Sequence, residues 1–152
     1  MHPLTGIFHN HVLLAGLIGW FAAQALKIPI HYFFEKEWDF SRFHGSGGMP
    51  SSHTSMVVAA SIMLGALHGF DSPLFAVALV FSSVVMYDAT GVRRETGRQA
   101  QIINQILQDV LINGRPISTV ELKELVGHKP IEVAAGALLG IAIAVVYLLI
   151  LH

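Results

Sequence analysis

Residues 47–55, "GGMPSSHTS", place two glycines and a proline ahead of Ser51, Ser52 and His53, and the chain then runs into "MVVAASIMLGAL". Glycine and proline interrupt regular structure, and the apolar run after them reads as a helix. Ser51, Ser52 and His53 therefore fall at a helix N-terminus. Unpaired backbone N–H groups and the helix dipole make such a terminus an anion site. An imidazole there can give a proton to an oxygen of the anion. A simpler role is open to the serines, because serine is also a common helix cap.

A second cluster, "GHKPIEVAAG", spans residues 127–136. His128 and Glu132 are four apart and share a helix face if the helix starts early enough. Pro130 suits its first turn. A carboxylate behind an imidazole fixes its tautomer and raises its basicity, as a nucleophilic histidine requires. The dipole alone would also favour Glu132 near a helix start. The third cluster is "YDATGVRRETGR", residues 87–98. Asp88 closes an apolar segment, where an ionisable group is a functional candidate. Arg93 and Arg94 can grip phosphate oxygens with two N–H groups each, or serve as interfacial anchors. Lys27 joins Gln24 and His31 in a polar stripe on an otherwise apolar segment. Its bland reading is a lysine whose ammonium reaches out to water. Together these residues supply cations, two imidazoles, a carboxylate and a helix N-terminus, the groups that phosphoryl transfer uses.

Four apolar segments must position them, at about 12–34, 52–70, 73–87 and 131–151. Of the 152 residues, 53% are hydrophobic and 12% charged, and mean hydropathy is +0.60. Soluble domains carry roughly 25% charged residues. An all-α integral membrane protein with four transmembrane helices follows, in one domain covering residues 1–152. Between the third and fourth segments, Ile102, Ile103, Ile106, Leu107, Val110 and Leu111 recur at helical spacing among polar residues. They predict an amphipathic interfacial helix. "STVELKEL" predicts a short helix capped by Ser118 or Thr119. In the fourth segment, Ala134, Ala135, Gly136, Ala137, Gly140 and Ala144 permit close helix approach. A net charge of −1 gives no support to nucleic-acid binding, and the absence of cysteine excludes disulfides and thiolate metal sites. No Lys or Arg precedes the first apolar run, so that segment is expected to be retained rather than cleaved.

The chain resembles the divergent branch of the type 2 phosphatidic acid phosphatase family, which is related to vanadium haloperoxidases and bacterial acid phosphatases. "GGMPSSHTS" and "DATGVRRETGRQA" carry the resemblance most specifically. Pro50-Ser51-Ser52-His53 matches the family's Pro-Ser-Gly-His motif, with Ser for Gly. Lys27 matches the lysine of the first motif, without the Arg-Pro that follows it elsewhere. His128 with Glu132 resembles the end of the third motif, with Glu for Asp, and Arg93 or Arg94 stands for its arginine. The resemblance implies hydrolysis of a lipid phosphate or diphosphate through a phosphohistidine on His128. His53 would protonate the leaving oxygen and Glu132 would orient His128. Lys27, Ser51, Ser52 and Arg93 or Arg94 would bind phosphate, with Asp88 a further candidate. It implies no cofactor and no metal. The wider family usually has six spans, and a homodimer would supply the missing packing. The altered motifs leave open a phosphate or headgroup binder, or a lipid transporter, on the same scaffold. A divalent cation held by Asp88 and Glu95 is a third reading, poor in the carboxylates that such sites use.

Charge sets the expected orientation. Outside the apolar segments every Lys and Arg falls in 35–51 or 88–130, and Lys27 lies in the half of its segment nearest that side. The positive-inside rule makes that side cytoplasmic and puts both termini outside, in a plasma membrane such as the bacterial inner membrane. The absence of native cysteine makes a test direct. In intact cells Asp71→Cys is expected to react with an impermeant maleimide, and Lys123→Cys is expected to react only after permeabilisation. The reverse labelling would place the site outside.

Overall fold

The structure is a computed structural model that describes residues 5–43, 47–91, 95–97, 99–104 and 128–151. Four long helices organise it: α1 (His11–Glu35), α2 (Ser52–His68), α3 (Pro73–Thr90) and α4 (Pro130–Leu151), with short 3-10 turns at Thr5–His9 and Phe40–Phe43. They coincide with the four apolar segments to within a few residues, and there are no strands among the described residues. Local chemistry sets their starts. Asn10, Ser51 and Ser72 lie in extended backbone and accept hydrogen bonds from Leu13, Thr54 and Phe75, which satisfies amides that no helical carbonyl reaches. Pro73 occupies the first turn of α3, where the missing N–H costs nothing. α1 continues through Pro29 and stops where Lys36 turns left-handed, its amide bonded to the Tyr32 carbonyl.

Helix α2 is central, packed against α1, α3 and α4, whereas α3 and α4 touch each other far less. Among the described residues, the helices that begin at His11, Pro73 and Pro130 are long and apolar enough to cross a membrane. α2, expected as a further span, has 17 residues. At 1.5 Å per residue it reaches about 25 Å, short of the roughly 30 Å hydrocarbon core. Its flanks are covered by its neighbours, so it can carry Ser52, Thr54, Ser55 and Ser61 buried. Large apolar side chains such as Phe21, Val80, Leu138 and Ile150 point outward, while Ala15, Ala23, Ala59 and Ala144 fill the interior. Small residues inside and large ones outside suit helices that associate in lipid, where burial of apolar surface gives little drive. The expected amphipathic helix is helical at 95–97 and 99–104; its remainder and "STVELKEL" lie outside the described residues.

The tightest contact joins α4 to α2. A Cβ on Gly136 would meet the Ser51 carbonyl oxygen at 2.5 Å, and one on Gly140 would meet the Ser55 carbonyl oxygen at 2.6 Å. Both neighbours are backbone and cannot swing away. On the other side, Ser61 and Ser82 hydroxyls share a 2.8 Å hydrogen bond, and their carbonyl bonds to Ala78 and Val57 tie α2 to α3. We expect Gly140→Val to destabilise the detergent-purified protein by at least the roughly 1–3 kcal/mol of core overpacking. Gly6→Val, with nothing within 4 Å of its Cβ, serves as control and should leave the melting temperature in place. Equal melting temperatures for the two variants would refute the close helix contact.

Candidate active site

The expected site residues that lie within the described residues gather at one end of the bundle. Ser51 precedes α2, and Ser52 and His53 form its first turn. Asp88 lies in the last turns of α3, and His128 and Glu132 flank the start of α4. Two backbone bonds lock these ends together. The His128 amide donates to the Ala89 carbonyl at 3.1 Å, and the Ser51 amide donates to the Glu132 carbonyl at 2.9 Å.

His128 is 3% exposed. Its Nδ1 lies 2.8 Å from Glu132 Oε2, which also accepts the Lys129 amide at 3.2 Å. An ionised carboxylate only accepts, so Nδ1 carries the proton and Nε2 presents its lone pair. Nε2 is buried and has no hydrogen-bond partner among the described residues. A buried polar atom left unsatisfied costs about 1–3 kcal/mol, which makes it a marker for a ligand. His128 and His53 line one pocket of about 260 Å³, walled otherwise by Val84, Val85, Asp88 and Ala89. The two histidines, 75 residues apart in sequence, therefore face a common space with Asp88. Among the described residues no three His, Asp or Glu side chains are grouped to hold a metal ion, so Asp88 and Glu95 gain no third ligand of that kind.

The two serines separate in role. The Ser51 hydroxyl takes the cap position, accepting from the Thr54 hydroxyl at 3.0 Å and the Thr54 amide at 3.5 Å. The Ser52 hydroxyl is equally buried and has no hydrogen-bond partner among the described residues. Ser52 is thus the serine with a donor to spare.

Lys27 is 1% exposed and interacts electrostatically with Glu132 and Arg42. The bland picture of an ammonium reaching water does not hold. Arg42 was expected only as an orientation charge, and the fold brings it to the site. Gly48 has a left-handed φ of 89°, and a Cβ there would lie 3.6 Å from Arg42 Nη1 and 4.0 Å from Lys27 Cδ. Two cations thus flank the glycine turn that leads into Ser51 and Ser52. One bond ties the loop to α1 and another braces it internally. Gln24 Nε2 donates to the Phe43 carbonyl at 2.8 Å, and Arg42 Nε donates to Asp39 Oδ2 at 3.2 Å. The Ser41 hydroxyl, followed by its amide and by Arg42, holds the Asp39 carboxyl below its usual value despite some desolvation. Asp39 is therefore a charged strut for Arg42 at neutral pH. The one available signal was an arginine a few residues ahead of a glycine pair; its spacing from Lys27 matches no motif. Arg93 and Arg94 lie outside the described residues.

Comparison with known proteins finds relatives among membrane proteins. The chain is 41% identical over 147 residues to the uncharacterized membrane protein YuiD of Bacillus subtilis strain 168, an alignment that covers 90% of this chain and 93% of that one. No solved structure matches it. A sequence profile of the divergent PAP2 family matches residues 8–143, which takes in the glycine turn, both histidines, Lys27, Arg42 and Glu132, and on that match the chain belongs to the divergent PAP2 family of membrane proteins.

Proposed function

We propose that this protein is a metal-independent phosphatase that hydrolyses a lipid phosphate or diphosphate monoester at the cytoplasmic face of the membrane. The observation that carries the reading is His128. It is buried and lines a pocket with His53, one ring nitrogen rests on a carboxylate, and the other has no partner among the described residues.

In the proposed reaction the Nε2 lone pair of His128 attacks phosphorus, and the bond from phosphorus to the lipid oxygen breaks. His53, as imidazolium, gives its proton to that oxygen. Glu132 stabilises the positive charge that develops on the His128 ring. Water then attacks the phosphohistidine, neutral His53 takes a proton from that water, and the phosphorus–nitrogen bond breaks to release phosphate and regenerate His128. Charge spread over the equatorial oxygens during both steps calls for fixed cations and donors. We assign this role to Lys27, Arg42 and the Ser52 hydroxyl among the described residues. Arg93 or Arg94 is assigned the same role from the motif.

Two sets of variants test the reading. Purified protein supplied with a lipid radiolabelled in its phosphate is expected to release phosphate and, on quench in alkaline detergent, where a phosphorus–nitrogen bond survives, to carry label on His128. His128→Ala should abolish both. His53→Ala should slow release from an alkoxide leaving group. Glu132→Gln should leave the melting temperature near wild type and lower turnover by about 10²–10⁴-fold, the range for general acid–base roles. Robust turnover in His128→Ala would end the phosphohistidine mechanism. Wild-type protein that binds vanadate yet turns over no lipid phosphate would instead be a binder on this scaffold.

The cation pair is tested by affinity. Arg42→Gln and Lys27→Met should each weaken vanadate binding roughly 10- to 100-fold, the equivalent of one hydrogen bond to a charged group. Unchanged vanadate affinity in Arg42→Gln would remove Arg42 from the site.

A further inference from the structure

The lipid-facing side of α1, which exposes Leu17, Ile18, Phe21 and Leu26, does not end with the helix. Phe33, with Phe34 packed edge-on against it, continues it to the last turn, and Trp38 and Phe40 carry it into the following loop, 59% and 69% exposed. The left-handed residue Lys36, with φ at 61°, reverses the chain so that this loop folds back along the helix end. The Trp38 ring then stacks on Tyr32 at 4.3 Å and 18°, and Phe40 extends the stack at 6.2 Å and 14°. Lys36 Nζ lies 5.3 Å from the Phe33 ring centroid and 6.0 Å from that of Tyr32. The loop's far end is tied to α1 where Gln24 donates to the Phe43 carbonyl, and Arg42 and Asp39 brace it internally. Its aromatic side is therefore fixed facing outward.

We propose that Tyr32, Phe33, Phe34, Trp38 and Phe40 form a shelf that seats residues 36–43 in the headgroup layer of the bilayer that α1 spans. Three features select the bilayer interface as the occupant. The shelf is continuous with a face of α1 that meets lipid along its length. Its residue types, Trp and Tyr with a lysine over the rings, are those that settle between water and hydrocarbon. The stacked rings of Tyr32, Trp38 and Phe40 form one continuous aromatic surface, with Arg42 paired to Asp39 beside it. Seated there, the loop carries Arg42 at the depth of lipid phosphates. The shelf stands whether or not the pocket turns substrate over.

Trp38 is one of two tryptophans, so Trp20→Phe leaves it as sole reporter in the full chain. In phosphatidylcholine–phosphatidylglycerol vesicles, its emission should fall most with lipids brominated near the headgroup, less with lipids brominated near the chain ends, and least with aqueous iodide. Dominant quenching by iodide would put the shelf in water and overturn the proposal. Dominant quenching by deep bromines would overturn it in the other direction. Protection from all three that is lost on dilution with lipid would show a second copy covering the shelf, and would also overturn it. If Trp20→Phe fails to fold, a nitroxide on Phe40→Cys in the otherwise cysteine-free chain reads the same depth from its relaxation by oxygen and by an aqueous nickel complex. A depth at the headgroup level supports the shelf, and any other depth rejects it.

Discussion

Glu132 joins more of the site than any other single described residue. Its carboxylate fixes the tautomer of His128 and receives the Lys129 amide, its backbone carbonyl receives the Ser51 amide, and its charge reaches Lys27. One position thus couples the start of α4, the start of α2 and the buried lysine of α1. A negative charge near the bundle interior is costly unless it is paired and hydrogen-bonded. Here the pairing is supplied by the groups whose geometry the proposed chemistry depends on. Two hydrogen bonds lower the cost of burying Glu132, and one of them fixes the His128 ring through Nδ1.

This arrangement needs α2 and α4 closer together than ordinary side chains permit. Gly136 and Gly140 present bare backbone to the Ser51 and Ser55 carbonyls. That approach lets the Ser51 amide reach Glu132 and brings the first turn of α2 under cover. It also explains why a short, serine-rich helix sits at the centre of an apolar bundle. In lipid, helices gain little from burying leucines, and close packing with hydrogen bonds between them carries the association. Apolar bulk is left for the outside, and polar chemistry is sheltered inside.

The site also draws on two kinds of support. Helix ends position Ser52, His53, His128 and Glu132, and rigid elements hold a catalytic geometry better than loops do. Arg42 arrives on a loop and is made rigid by Asp39 and Gln24. The turn beside Arg42 and Lys27 calls for glycine at position 48, because its φ of 89° would strain any other residue.

Some of this was legible in the residues alone because it is local. Apolar runs of the right length marked four helices, and the helix boundaries fell near Pro73, Pro130 and the serine caps, where amides must find partners nearby. His128 and Glu132 met because four residues on a helix is one turn. Features that depend on distant segments were not legible. Periodicity cannot tell a helix wrapped by neighbours from one that faces lipid, so the central place of α2 came only with the fold. Either serine at positions 51 and 52 suits a cap, and the backbone angles at the joint decided between them. Arg42 read as a surface charge, because nothing in a span of fifteen residues says that a loop will double back on Lys27. That proximity, like the pocket shared by His53, Asp88 and His128, is a product of helix packing, in which residues far apart in the chain meet because glycine and serine let their helices come close.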